Sequence, residues 1–582
     1  MKKDSARRLV AAGAAALGPL YLLAARALPV GAAEDDALHV LLARSLRHGA
    51  FAFPDGTPAN DPLPGFAAFL TLPAAVVAPH WDLLKLVGLL SAAAVVALTY
   101  RLARRFLDER WSVAAAALVA LNPLTVIHAG LILPDLPYLA VSLFLFDRML
   151  EPGTPHAALV LAAAAASMLR PYGAWLIVGV ALGVAAAKGA RKALEFAVPS
   201  LLPLALWTWR NRLLTGAGSG YLLNMRAETA ALAVPRTAAL HAAGLLAAMG
   251  GDGLLSLGRV LPLAGLVAAG TAGVLLAGAG AVTVLRRRKD PRLFAVAAYA
   301  IILCVQHLVW MPIEPRYVLP LIPLAWILIF SAAAPHLKGK TAPVLLFVVL
   351  ALPALSLDLA LAAPGLRGPA RFQPATMAWL RANSAPDARV QTLEPRTVAL
   401  LSGRDAELPA FDAGERDAWL AWTLQQKFDY VHVVSTFAPG GFFSPDMRRT
   451  AAHLESWSRS TPYAREVFRD AEEGTTVFRV EHPDPARYLK AWSAFAAAAS
   501  GFRRGAPAAD VRAALDRATA LEPNLALAWA LRGLTASDPR ERRRLLEKAA
   551  ALDPTSGIIR AELSGGPVVP KQPVSSLLRS TL

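Results

Sequence analysis

Apolar runs long enough to cross a lipid bilayer recur through the first 362 residues, and no other feature limits the fold as strongly. They lie at 9–30, 82–100, 111–128, 136–150, 156–170, 174–187, 196–214, 258–285, 293–311, 317–333 and 342–362. A spanning helix needs roughly 20 apolar residues. Several of these runs are shorter, and fit a thinned bilayer or a span supported by its neighbours. About eleven spans follow. The chain therefore reads as a polytopic α-helical membrane protein, followed by a small soluble α/β domain and C-terminal helices. Of its 582 residues 55% are hydrophobic and 17% charged, more apolar material than a soluble core of that length requires. The first run follows a basic flank, MKKDSARR, and its length favours an uncleaved anchor over a signal peptide cut near Ala32 or Ala33.

The net charge of +17 suggests nucleic acid at first sight, but its distribution argues against that partner. In the first 340 residues much of the basic excess falls in short clusters between apolar runs, where orientation in the bilayer accounts for it. If Lys2, Lys3, Arg7 and Arg8 are cytoplasmic, strict alternation puts Arg101, Arg104, Arg105, Arg110, Arg148, Lys188, Arg191, Lys192, Arg286 to Lys289, Lys338 and Lys340 on the same side. An odd number of spans then sends everything after about residue 363 to the opposite face. The reading is a multi-pass inner (plasma) membrane protein with a cytoplasmic N-terminus and an extracytoplasmic C-terminal part. The single cysteine, Cys304, rules out an intrachain disulfide.

The same alternation gathers Glu34, Asp35, Asp36, Asp61, Asp135, Arg170, Arg210, Glu314 and Arg316 on the outer face. Charges embedded among apolar spans are costly, and they face a cavity or a partner more often than lipid. In AEDDALHVLLARSLRHG, residues 33–49, helical spacing puts Asp35 and His39 on one stripe of an amphipathic helix, with the acids in its first turn. Acids there also suit a helix dipole without any chemistry. The turn-rich loop AFAFPDGTPANDPLPGF follows. In HAGLILPDLPYL, Asp135 stands between two prolines, which hold the acid on a short rigid turn.

Taken in order, these elements resemble membrane glycosyltransferases of the GT-C class, the protein O-mannosyltransferase and aminoarabinose-transferase superfamily that uses polyprenyl-phosphate sugars. The resemblance covers about residues 1–360. It rests on Asp35-Asp36, His39, Ala43, Leu46, Gly49 and Pro64-Gly65-Phe66 in the first external loop (31–66), and on LPDLPY at Asp135. It continues through RPYG (Arg170, Pro171, Gly173), WRNRLLTG (Arg210, Asn211, Gly216) and EPRYVLP (Glu314, Arg316, Tyr317, Pro320). Two departures matter: His39 stands where a tyrosine is usual, and Asn60-Asp61-Pro62 stands where some relatives carry a lysine near the donor phosphate. The donor sugar is therefore not carried over.

Sugar transfer from a lipid phosphate needs a base for the nucleophile and positive groups for the departing phosphate. Asp35 is the candidate general base, with Asp36 and Asp135 as supporting acids. Arg170, Arg210 and Arg316 are candidates for the phosphate, and Asn211, Glu314, Tyr317 and His39 for further substrate contacts. Asp36, Asp135 and His39 could also hold a divalent cation, Mg or Mn, although an interfacial histidine with no ligand role is the simpler reading. The resemblance implies inversion at the anomeric carbon. The partners expected are the lipid-linked donor, the bilayer and an extracytoplasmic glycan, lipid or protein acceptor. A lipid or glycolipid transporter or flippase is the alternative, but the chain has no obvious duplicated halves; a non-catalytic scaffold is the other.

After Leu361 the apolar runs end. Residues 363–484 alternate helix-like and strand-like segments (TMAWLRAN, ARVQTL, RDAWLAWTLQQKF, YVHVVST, TTVFRV), the pattern of a small α/β domain. Residues 485–563 are Ala-rich, and ALDRATALEPN and LLEKAAALDPT place Pro523 and Pro554 31 positions apart, close to the tetratricopeptide period of about 34. Two such units cannot stand alone and should pack on the preceding domain, with a protein partner as one use for them. Residues 564–582 read as a disordered tail.

Overall fold

The computed structural model describes residues 17–216, 290–309, 315–334, 342–410, 414–434 and 445–564. The chain divides into two compact units, Met1–Arg371 and Phe372–Leu582. The expected span at 258–285, Glu314 and the C-terminal tail lie outside the described residues.

The first unit is helical: α1 (17–27), α2 (Asp35–Arg47), α3 (Pro64–Val77), α4 (Lys85–Ala103), α5 (Glu109–Ala120), α6 (Pro123–Ala129), α7 (Asp135–Arg148), α8 (His156–Leu169), α9 (Gly173–Lys188), α10 (Ala190–Thr215), α11 (Pro291–Val309), α12 (Leu321–Ala333) and α13 (Ala342–Ala362). Its core is built where α4, α5, α7, α9, α11 and α12 meet, around Trp111, Tyr138, Phe146, Tyr299 and Phe330. Tyr138 and Tyr299 hydroxyls share a 2.7 Å hydrogen bond there, which satisfies both polar tips inside an apolar core.

Helix lengths differ from the expected spans. Among the described residues, only the stretch Trp81–Ala103 is long and apolar enough to cross a bilayer by itself. The pair Glu109–Ala120 and Pro123–Ala129 passes jointly with a 55° bend, placed where Asn122-Pro123 ends one helix and caps the next. Five further apolar helices are shorter, Pro64–Val77, His156–Leu169, Gly173–Lys188, Pro291–Gln306 and Leu321–Ala333; a 14-residue helix is about 21 Å long against a hydrocarbon core of about 30 Å, whereas α13 keeps the 21 residues expected of it. The first of these begins at the edge of the expected external loop, where no span was anticipated.

The two ends of α7 carry different chemistry. At its C-terminal end Asp147, fully buried, accepts hydrogen bonds from Arg101 (2.9 Å) and Arg105 (3.1 and 3.2 Å), while Glu151 accepts from Arg292 at 3.1 Å. At its N-terminal end, about 18 Å away along the helix, stands Asp135. A buried carboxylate is tolerated when it is paired and hydrogen-bonded, and Asp147 meets that condition with guanidinium groups from α4 and the turn after it.

The second unit carries a five-stranded sheet in the order β2-β1-β3-β5-β4. The strands are β1 (Arg389–Thr392), β2 (Asp405–Glu407), β3 (Tyr430–Val434), β4 (Ala464–Asp470) and β5 (Thr475–Val480). β1 runs parallel to β2 and β3, and β5 antiparallel to β3 and β4. Helix α14 (Pro374–Asn383) precedes β1, and α15 (Pro395–Ser402), α16 (Arg416–Gln425) and α17 (Pro445–Ser460) lie between successive strands up to β4. The helices that follow, α18 (Pro485–Arg503), α19 (Ala508–Leu521), α20 (Ala526–Leu534), α21 (Pro539–Leu552) and α22 (Gly557–Ser564), are not a separate body. Trp419, Val431 and Phe478 share one core with Tyr488, Leu515 and Leu531. Arg416, 2% exposed, fastens the two repeat turns by donating to the carbonyls of Asn524 and Leu552.

Candidate active site

The acids of the first external loop enter α2 through a sharp corner. Glu34 adopts φ 56°, a left-handed conformation that costs a non-glycine residue about 1–3 kcal/mol. That corner sets Asp35 and Asp36 in the first turn of α2, where the helix dipole favours carboxylates. The two then diverge. Asp36 is 1% exposed and turns back onto the backbone, accepting from the Gly31 and Ala37 amides at 2.9 Å each. Burial pushes its carboxyl up to about 6, against those two hydrogen bonds, which hold it down. Asp35 faces the other way and accepts from Arg316 Nη1 at 2.8 Å; the two side chains are 29% and 9% exposed.

A second acid–guanidinium pair stands beside it. Asp135 is the first residue of α7, 1% exposed, and is paired with Arg170, 7% exposed. Arg170 ends α8 in extended backbone, and α9 starts three residues later at Gly173, where a Cβ would lie 2.5 Å from the Ala166 carbonyl. Only glycine permits that close return of the chain. Arg316 sits on a short 3-10 turn, Pro315–Val318, with its guanidinium 5.4 Å from the Tyr317 ring centroid.

His39 ties the two pairs together. Asp35, Arg170, Asp135 and Arg316 all act on its imidazole, so one turn of α2, the start of α7, the end of α8 and the 3-10 turn converge on one place. The ring lies edge-on to Phe66 at 5.0 Å, and burial drives it down to about 4. It is a neutral imidazole at physiological pH. Several buried polar atoms here find no hydrogen-bond partner among the described residues: His39 Nδ1, Asp135 Oδ1, Arg170 Nε and the Tyr172 hydroxyl. Buried donors and acceptors left over in one place are open to a polar ligand or to ordered water.

Two other expected site residues bond to the backbone of the external loop. Arg210 and Asn211 donate to the carbonyls of Ala59 (2.9 Å) and Asn60 (2.7 Å), and Arg210 stacks 4.3 Å over Trp207, which meets Phe51 edge-on at 5.3 Å. They fasten the external loop to the end of α10. Tyr317 is 7% exposed beside Arg316. As for a cation, no group of three or more His, Cys, Asp or Glu close enough to hold one occurs among the described residues. Asp35 and Asp135 are each taken by a guanidinium and Asp36 by backbone amides, so the described residues do not fit a resident divalent ion. Sequence reasoning passed over Lys85, which is buried and donates to the Ala25 (3.1 Å) and Leu28 (2.6 Å) carbonyls at the end of α1, and to Asp82 at 2.6 Å. It reads in sequence as an ordinary charge at the start of a span.

No protein-family model matches the chain, and no curated protein matches it. Solved structures do. ArnT from Cupriavidus metallidurans, in the apo state and bound to undecaprenyl phosphate, aligns at TM-score 0.50 and 14% identity over 83% of this chain and 100% of that one. An oligosaccharyltransferase from Archaeoglobus fulgidus, solved in complex with Zn and sulfate, aligns at TM-score 0.47 and 13% identity over 80% and 73%. The fold is of the GT-C class.

Proposed function

We propose that this chain is a membrane glycosyltransferase that takes a sugar from a polyprenyl-phosphate donor on the extracytoplasmic side and passes it to a glycan, lipid or protein acceptor. The observation that carries this reading is the meeting of two acid–guanidinium pairs, Asp35–Arg316 and Asp135–Arg170, around the buried His39 ring, among buried polar atoms left without a partner. The fold likeness supports it, because one of the solved structures of that fold holds undecaprenyl phosphate.

In this reading Arg316 and Arg170 receive the lipid phosphate, for which a planar, permanently charged fork is suited. Asp35, the more exposed of the two paired acids, takes the proton from the acceptor as its oxygen or nitrogen attacks the anomeric carbon. The phosphate departs with the bonding electrons toward the guanidinium groups, and a single displacement inverts the anomeric centre. Asp135 keeps Arg170 in place. Asp36 shapes the loop through Gly31, and Arg210 and Asn211 hold its far side. The first unit sits in the bilayer and the second on the extracytoplasmic side, where its repeat-like helices offer a protein partner a surface.

The test is transfer itself. Purified chain in lipid nanodiscs is supplied with undecaprenyl-phosphate sugars, and release of undecaprenyl phosphate is followed by mass spectrometry. Turnover of one donor that depends on Asp35 supports the reading. No turnover of any donor, with membrane extracts supplying acceptors, counts against it.

A further inference from the structure

His128 feels the charges of the same acid–guanidinium pairs and has no role in the scheme above. It lies in the last turn of α6, 3% exposed, with Nδ1 2.8 Å from the Leu124 carbonyl. A carbonyl only accepts, so Nδ1 carries the proton and Nε2 presents a lone pair. Nε2 is buried and has no hydrogen-bond partner among the described residues. The charges that act on the ring are those of Asp135, Arg316 and Arg170, three of the four that surround His39.

The ring is held rather than merely present. Where α4 crosses α6, a Cβ at Gly88 would lie 2.6 Å from the Ala129 carbonyl oxygen and 3.1 Å from that of His128. The end of α6 that carries His128 therefore packs directly on the α4 backbone, with no room for a side chain at Gly88.

The chemistry of the unsatisfied atoms separates two ends of a ligand. Arg170 Nε is a donor and suits phosphate oxygens. His128 Nε2 and Asp135 Oδ1 are acceptors, and an ionised phosphate has no hydrogen to give them. A hydroxyl or amine does. We propose that His128 contacts the glycosyl part of the donor, accepting a hydrogen bond from a ring hydroxyl or amino group. It thereby selects sugars that carry a donor at that position over deoxy or O-alkylated analogues. This assignment rests on the glycosyl-transfer reading. A site that hydrogen-bonds a substrate O–H discriminates strongly against the analogue lacking it, because its own buried group is then left unpaired.

The experiment compares two probes on the full chain in nanodiscs: bare undecaprenyl phosphate, and the undecaprenyl-phosphate sugar that the wild type binds most tightly among glucose, mannose and arabinose. The variants are His128→Leu, which removes the acceptor, and His128→Gln, whose amide oxygen restores one. Expected is binding of the bare lipid within about twofold of wild type in both variants, which also shows that they are folded. Binding of the sugar-loaded lipid should fall about tenfold in His128→Leu and recover at least in part in His128→Gln. Equal losses for both probes, an unchanged His128→Leu, or no recovery in His128→Gln overturns the assignment. If the wild type binds neither probe, the transfer reading fails and the assignment with it; if it binds both and His128→Leu follows it on both, the assignment alone fails.

Discussion

Replacing Asp35 with Asn should strengthen binding of the lipid phosphate while abolishing transfer. In the ligand-free chain Asp35 occupies Arg316 Nη1 at 2.8 Å, in a pair whose acid is about one-third exposed. A phosphate arriving at Arg316 must displace or share that contact and then sit beside a carboxylate. Two unit charges about 5 Å apart at an effective dielectric of about 20 repel by roughly 3 kcal/mol. Partial exposure of Asp35 and screening reduce this, so we expect a gain of about 1–2 kcal/mol, a five- to thirtyfold tighter complex. Loss of the base should lower turnover by about 10²–10⁴-fold. Binding is measured with undecaprenyl phosphate in nanodiscs and turnover with the sugar-loaded lipid. A misfolded variant would lose both, so opposite changes are diagnostic. Weaker phosphate binding in Asp35→Asn would refute the competition, and retained turnover would remove Asp35 from the base role.

Arg316→Lys should weaken bare-lipid binding about tenfold while leaving the chain folded, since an ammonium cannot reproduce the guanidinium fork; unchanged affinity would remove Arg316 from the phosphate site. Arg210→Ala with Asn211→Ala should speed amide hydrogen exchange in residues 50–63 and lower transfer by less than Asp35→Asn does; unchanged exchange there would mean that these two residues do not hold the loop. His39, neutral down to about pH 4, should add no inflection near pH 6.5 to the profile of kcat/KM. An inflection there that vanishes in His39→Gln would show that the ring is not held neutral by burial. In the second unit, burial pushes Glu415 up to about 7 from 4.5. Its folded form binds the proton more tightly, so its contribution to stability is full below about pH 4.5 and is lost as pH rises through about 7, by about 3 kcal/mol in all. Exchange protection in residues 557–564 of the full chain, corrected for intrinsic rate, should therefore fall from pH 6 to pH 8, and less so in Glu415→Gln. An equal fall in both would locate the pH dependence elsewhere.

Much of the candidate site is legible in the sequence because charge is conspicuous among apolar residues. Asp35, Asp135, Arg170 and Arg316 stand out for that reason, and the flanking Pro and Gly mark the turns that hold Asp135 and Arg170. What pairs with what is not legible, since Asp35 and Arg316 are 281 positions apart. Asp36 looks equivalent to Asp35 in the sequence, yet one faces the Gly31 amide and the other the guanidinium, because adjacent helical residues point about 100° apart. Arg210 and Asn211 resemble site residues by motif but bond to backbone carbonyls, a partner that side-chain patterns do not reveal. Lys85 and His128 sit at helix ends, where a charged or polar residue attracts no notice; only packing shows that both are buried. In the second unit, the strand-like ARVQTL, YVHVVST and TTVFRV hold β1, β3 and β5, whereas the edge strand β4, AREVFRD, is too polar and exposed for an apolar pattern to mark it. Most described helices of the first unit follow the apolar runs in position, but α3 lies outside those runs, and several helices are shorter because turns and bends divide them.

The central claim is that the two acid–guanidinium pairs line one pocket for a lipid-linked phosphate. The most direct measurement is a cryo-electron microscopy structure of the chain with undecaprenyl phosphate in a nanodisc. The account predicts phosphate oxygens within hydrogen-bond distance of Arg316 or Arg170, with the Asp35–Arg316 contact loosened. A phosphate held at another part of the molecule, with both pairs unchanged, would contradict it.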